Sequence, residues 1–349
     1  MEAMALLSSS SSSAIPARKD TPMALSTTVK TRPHQQTAQT ARNPRRWSRY
    51  SPLTFYLFVA PWVLGFVGLT LFPLLYALTV SFTDFNGITP RWHWVGWANY
   101  TEVLTTSDTW YSLSRTLIFT AVSVTLSIVG ALGLALLLNQ RLQARGLFRT
   151  IFYVPSIVPV VASAIMWKLV FARDNGVLNA ILERINLPAV TWLIDPTAFY
   201  ALIIMTLWGL GGGMVILLAG LQGIPIELQE AARIDGAGKW QVLRYVTLPQ
   251  LSPVIFFQVV TGVIAAFQMV VQPLLLSEAG FSAQVLSGVA VPRSNYLYMV
   301  DVYTQFFTNQ RFGFGSAMLW VFFLMILGLT LLIFRSSSFW VYYEVDRDT

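Results

Sequence analysis

The chain has 349 residues, 55% hydrophobic and only 11% charged, with a formal net charge of +7 and no cysteine. So low a charged fraction, against roughly 25% in soluble domains, excludes an ordinary water-soluble globule. The missing cysteine excludes disulfides and thiol chemistry and leaves the compartment open.

Residues 1–50 come first. A serine run at 8–13 and a stretch dominated by Gln, Thr, Pro and Arg cannot bury a core, so a disordered cytoplasmic tail is expected. Met4 to Leu7 is too short for a secretory apolar region, although the Ser- and Arg-rich, acid-poor character also resembles an organellar transit peptide.

Six apolar stretches follow, at about 53–82, 116–138, 151–171, 197–221, 254–276 and 313–334. Each reaches the ~20 residues that cross the ~30 Å hydrocarbon core. Apart from Lys168 they hold no charge. The reading is an all-α, polytopic membrane protein, with one membrane domain over 51–345.

Basic residues set the orientation. Eight Lys and Arg precede Leu53, and Arg141, Arg145 and Arg149 occupy the short, acid-free loop 139–150. Loops 83–115, 172–196 and 277–312 mix both signs, with Asp84, Glu102, Asp174, Asp195 and Asp301 among their acids. The positive-inside rule places the N-terminus, 139–150, 222–253 and the C-terminus in the cytoplasm. Trp92, Trp94 and Trp97, and at the other end Trp340, Tyr342 and Tyr343, suit interfacial belts. The basic charge thus reflects membrane orientation rather than nucleic-acid binding.

Between the fourth and fifth spans lies a polar insert, 223–253, that is long for a turn. Pro225 suits the first position of a helix, and Glu227 and Glu230 sit near its positive end. Gly236 supplies the residue that can turn out of it. A second short helix is expected over 239–247, separated from the fifth span by Pro249 and Pro253. On these residues alone a helix–turn–helix on the inner face and an ordinary structured loop are both open.

The insert reads Glu230-Ala231-Ala232, two residues, Asp235-Gly236-Ala237, then Val246-Thr247-Leu248-Pro249. This spacing resembles the EAA loop of permease subunits in binding-protein-dependent ABC importers. Leu243 stands where that loop often has an aromatic. The resemblance extends to Trp208-Gly209, to the stretch from Leu217 to Pro225, to Arg311-Phe312-Gly313-Phe314-Gly315 and to Trp340-Val341-Tyr342-Tyr343-Glu344. It covers about 50–345 and is nearest to the larger permease of maltose-type carbohydrate importers.

The resemblance implies a type I importer fold in a bacterial inner membrane. It implies a second homologous permease, two separate ATP-binding subunits, an extracytoplasmic solute-binding protein and a sugar substrate. Glu230, Ala231, Ala232, Asp235, Gly236, Ala237, Leu248 and Pro249 would then grip the ATPase.

Other chemistries find little support. The spans hold no Asp or Glu for ion coupling. Gly236-Ala237-Gly238-Lys239 lacks the first glycine of a phosphate loop, where Arg233 stands, and has Trp240 in place of its Ser or Thr. His34 and His93 have no metal-ligand spacing, so no metal, cofactor or catalytic residue is expected. Asn99-Tyr100-Thr101 matches a glycosylation sequon by chance frequency.

A substrate signal lies in the fifth span. At about 100° per residue, Gln258, Thr261, Gly262, Ala265, Gln268, Met269 and Gln272 share a face. Amides there need protein or water partners. Close helix packing and a sugar pathway both satisfy that need. Trp208, Gly209 and the glycines 211–213 would form the facing wall, and a kink without ligand contact is the other reading of the glycine cluster. A channel or an assembly subunit without substrate contact is the alternative function.

Overall fold

The computed structural model describes residues 52–140, 143–277 and 291–342. The expected tail at 1–50, Tyr343, Glu344 and Glu278 lie outside the described residues. Two units divide the chain, Met1–Pro61 and Trp62–Thr349. Of the first, the described part is the start of a helix.

Among the described residues the regular structure is helical, with one isolated bridge between Thr83 and Trp94. The first span is continuous, helix α1 (Pro52–Phe66), a π turn (Val67–Leu71) and α2 (Phe72–Val80). A short helix α3 (Ala98–Thr105) leads into α4 (Ser107–Asn139). At 33 residues, α4 begins nine residues before the expected second span. Polar Ser107, Asp108 and Thr109 hid that extension, because they are helix-compatible but not apolar.

The third span is not one helix. Its halves, α5 (Arg145–Ile157) and α6 (Val160–Val170), meet at 101°. Pro159 pushes Val158 into an extended conformation, with ψ at 130°, and ends the helix there. The short helix α7 (Val177–Arg184) follows. The fourth span, α8 (Ala198–Trp208) and α9 (Gly211–Gly223), is bent by 46° at Gly209 and Leu210. Gly211 sits so close to Phe152 that a Cβ would fall 1.9 Å from its carbonyl oxygen. The glycine is therefore a packing requirement between α9 and α5.

The polar insert consists of α10 (Ile226–Ile234) and α11 (Lys239–Val242). A second π turn (Leu243–Thr247) joins α11 directly to α12 (Leu248–Phe267). The expected separation at Pro249 and Pro253 does not occur, and Lys239 to Phe267 is one continuous span. Both π turns end two residues before a proline, Pro73 and Pro249. A proline lacks the N–H for the residue four back and crowds that carbonyl; a wider turn relieves both problems without breaking the helix.

The fifth span ends at Phe267. A short α13 (Val271–Leu275), α14 (Tyr298–Phe307) and the last span α15 (Phe312–Trp340) complete the described fold. α4 is central, packed against α9, α12, α8 and α14. Three apolar clusters hold these helices: Phe119, Leu202, Leu276 and Leu297; Phe267, Tyr298, Met318 and Phe322; and Ala135, Met214, Leu217 and Leu251. Apolar residues such as Leu69, Phe72, Phe323 and Leu332 stay exposed, as spans facing hydrocarbon require.

Candidate functional site: a polar cavity and an inner helical turn

Three elements enclose a cavity of about 500 Å³. α4 brings Ser123 and Ser127, the bent fourth span brings Thr206, Gly209 and Gly213, and α12 with α13 brings Gln258, Thr261, Gly262, Met269 and Gln272. The kink at Gly209 opens the wall, and small residues at Gly213 and Gly262 keep it open. Among the described residues, no charged side chain lines it.

The polar groups in this wall are not equivalent. Gln258 is buried, and its Nε2 donates to the Gly213 carbonyl at 2.7 Å. Any side chain on Gly213 would crowd the Gln258 Oε1, 3.3 Å from a Cβ placed there. Thr261 donates to the Phe257 carbonyl of its own helix at 2.8 Å. Ser123 Oγ is buried and has no hydrogen-bond partner among the described residues. The cavity thus offers hydroxyl and amide groups, the buried Ser123 hydroxyl among those unspent, beside the apolar surface of Met269, Val124 and Ile128.

Four of the six expected pathway residues, Gln258, Thr261, Met269 and Gln272, meet in this wall. Gln268 and Trp208 do not. Gln268 is exposed and caps α12, so the 100° spacing that placed it with Gln258 stops one residue earlier. Trp208 turns to Trp167, edge to face at 6.0 Å. Ser123, Ser127 and Thr206 were missed. Thr116, Thr120, Ser123 and Ser127 recur every three or four residues along α4, a polar stripe legible in the sequence.

At the other end of the fourth span, Pro225 caps α10 rather than beginning it. Glu230, Ala231 and Asp235 are exposed and Ala232 is half-buried. The helix closes with two bonds, Gly236 N–H to the Arg233 carbonyl at 3.0 Å and Ala237 N–H to the Ala232 carbonyl at 2.9 Å. Gly236 makes this possible with φ at +87°, a region that side chains enter at a cost. Gly238 N–H then bonds Gln241 Oε1 at 2.7 Å and starts α11. Leu248 and Pro249 are half-buried where the π turn enters α12.

This turn leaves large apolar side chains in the open. Ile234 is 86% exposed, Trp240 69% and Tyr245 70%, around a small cavity edged by Ala232, Asp235, Gly236 and Tyr245. A helix with Glu230 and Asp235 beside uncovered Ile, Trp and Tyr has the composition of an interface. Two residues set aside in the sequence have structural roles. His93 Nδ1 lies 3.0 Å from Asp84 Oδ2 in an exposed pair, and the buried Asn99 amide donates to the Ser81 and Thr83 carbonyls.

Comparison with known proteins agrees with this architecture. The chain is 35% identical to YesP of Bacillus subtilis, a probable ABC transporter permease protein, covering 88% of this chain and 98% of that one. It is 32% identical to MalF of Thermococcus litoralis, a trehalose/maltose transport system permease protein, covering 81% and 93%. Among solved structures, a bacterial ABC transporter involved in import of the acidic polysaccharide alginate shares the fold. There the TM-score is 0.70 at 21% identity, over 82% of this chain and 95% of that one. With residues 123–347 also matching its family model, the chain belongs to the binding-protein-dependent transport system inner membrane components, the permease subunits of ABC transporters.

Proposed function

We propose that this permease forms one half of the translocation pathway of a carbohydrate importer. Sugar passes through the cavity between α4, α8–α9 and α12. The observation that carries this reading is a wall of hydroxyls and amides without charge, alternating with apolar surface. Such a wall suits a neutral, hydroxyl-rich ligand, whose OH groups need donors and acceptors and whose C–H faces need apolar contact. Its volume of about 500 Å³ lies within the ordinary range of small-molecule sites. The relative named for trehalose and maltose supports the same class.

Energy enters from a separate ATP-hydrolysing subunit seated on α10, with Glu230 and Ile234 among its contacts. A second permease completes the pathway, and an external binding protein delivers the sugar. Loops 139–150 and 222–253, with both termini, face the cytoplasm of a bacterial cell whose inner membrane holds the protein.

Uptake of labelled oligosaccharides into vesicles tests this proposal. The full complex should accumulate sugar only with ATP on the side of α10 and binding protein on the other. Uptake by the permeases alone, equal with and without ATP, would instead make the chain part of a passive channel.

A further inference from the structure

We propose that Arg145, Arg149 and Gln222 form a site for the phosphate of an anionic phospholipid headgroup at the root of α10. Arg145 and Arg149 lie one turn apart on α5, which places their side chains on the same face. Gln222 is the penultimate residue of α9, three before the Pro225 that caps the coupling helix. The Gln222 amide orientation that satisfies its neighbours turns the oxygen to both guanidiniums. Arg145 Nη2 and Arg149 Nη2 then each lie 2.8 Å from it.

One neutral oxygen therefore faces two permanent positive charges, since arginine does not deprotonate. The ion pairs among the described residues are His93–Asp84, Arg293–Asp108 and Arg311–Glu102, so no acid answers this pair. The Nε atoms of both arginines are buried and have no hydrogen-bond partner there. Two convergent guanidiniums with unused donors match the geometry of a phosphate oxyanion. The α5 N-terminus adds to the same positive field, because Ala144 caps it at φ +56° without a side-chain bond.

Three features favour a lipid as the source of the phosphate. Gln222 is exposed, so the pair is approachable. Leu147 and Ile151, on the same helix, are 60% and 52% exposed and offer apolar surface beside the charges. In the proposed orientation the loop meets the inner leaflet, whose anionic lipids attract basic segments of amphipathic helices. A bound headgroup would tie the end of α9 to α5 immediately before α10. It would thereby stiffen the point at which force from the ATPase enters the spans.

The test uses the full chain in nanodiscs of phosphatidylcholine with a minor fraction of phosphatidylglycerol, reading the lipid that co-purifies. The wild-type chain should enrich phosphatidylglycerol. The double variant Arg145→Gln, Arg149→Gln should lower that affinity roughly thirty-fold, the scale of two basic side chains at an anionic surface. Gln222→Glu gives both arginines an internal carboxylate, keeps their packing and should abolish the enrichment, which covers the case where the double variant does not fold.

Unchanged enrichment in either variant overturns the proposal. So does displacement of the lipid by inorganic phosphate, which would mark a free-phosphate site. So, too, does failure of a folded double variant to assemble with its partner subunits in pure phosphatidylcholine, which would mark a partner's acid as the occupant. The inference rests on the inward orientation proposed above. A wrong orientation would appear separately, as outward labelling of Ala144→Cys.

Discussion

Gln258 and Gln272 share a cavity wall but do different things there. Gln258 spends its amide on the Gly213 carbonyl, whereas the Gln272 amide makes no hydrogen bond among the described residues. Gln258→Leu should therefore act on the protein itself, removing the side-chain bond that ties α12 to α9 and costing about 0.5–1.5 kcal/mol of stability. Thermal unfolding of the purified complex would read this as a lowered midpoint. Gln272→Leu should leave that midpoint unchanged and weaken sugar binding roughly 5- to 150-fold, through loss of one buried bond to the ligand. Gln268→Leu, outside the wall, should change neither. A transport defect in Gln268→Leu equal to that of Gln272→Leu would remove the cavity from the pathway.

Asp301 provides a pH signature at the same scale. Its carboxylate is buried and meets Ser112, Tyr296 and Gln305 without a cation. Burial is the largest influence and raises its pKa above the usual value near 3.8. Gln305, Tyr296 and Ser112 donate to the carboxylate at 3.3, 3.2 and 3.4 Å and favour the charged form, but burial outweighs them and favours the proton. The unfolded chain releases that proton near pH 3.8 while the folded chain retains it. Stability contributed by the neutral form is thus fully present at low pH and declines as pH rises toward the raised folded pKa. Asp301→Asn should flatten this decline in unfolding measurements made across that window. An unchanged pH slope would mean the group is ionised in the fold.

Individual helices show what periodicity could and could not reveal. Apolar length alone marked six stretches, and four long apolar helices and two bent helix pairs overlap them, because hydrocarbon imposes a length that no other environment demands. It could not reveal the 101° break in the third, which depends on Val158 standing before Pro159. Nor could it show that Pro249 is absorbed in a π turn instead of ending a helix. The cavity was half legible. Gln258, Thr261, Met269 and Gln272 were found by spacing, but Gln268 was misplaced because the helix on which the spacing rests stops at Phe267.

The inner turn is where the element scale meets function. Gly236 at φ +87° closes α10 by the two bonds from Gly236 and Ala237. Nothing lies within 4 Å of a Cβ built there, so a side chain would be opposed by backbone strain rather than by a clash. Gly236→Val should cost about 1–3 kcal/mol locally, reorient α10 and lower transport per ATP hydrolysed while the chain still inserts. Gly236→Asn, which tolerates this region better, should recover part of the coupling. A Val variant with wild-type transport per ATP would show that the turn is not the route of force.

For the molecule as a whole, the arrangement joins two ends of one structure. The bent fourth span borders the polar cavity at Gly209 and Gly213 and ends at Gln222, three residues before α10. In the proposed importer, movement of α10 would be transmitted along α9 into the cavity wall. The π turn at Leu243–Thr247 links the same insert to α12, the opposite wall. Both walls would thus be driven from one docking surface. An importer needs this arrangement to alternate access when its ATPases close.

That docking surface can be tested directly because the native chain has no cysteine. A single Ile234→Cys, placed at the most exposed apolar position of α10, should link to a cysteine introduced on the facing surface of the ATP-hydrolysing subunit, by added oxidant or by bismaleimide, in the assembled complex. It should be shielded from impermeant reagents added outside intact cells. A companion Thr106→Cys, between α3 and α4, should react from outside and form no such link. Outward labelling of Ile234→Cys, or the absence of any link between it and the ATPase in an assembled and active complex, would contradict the account.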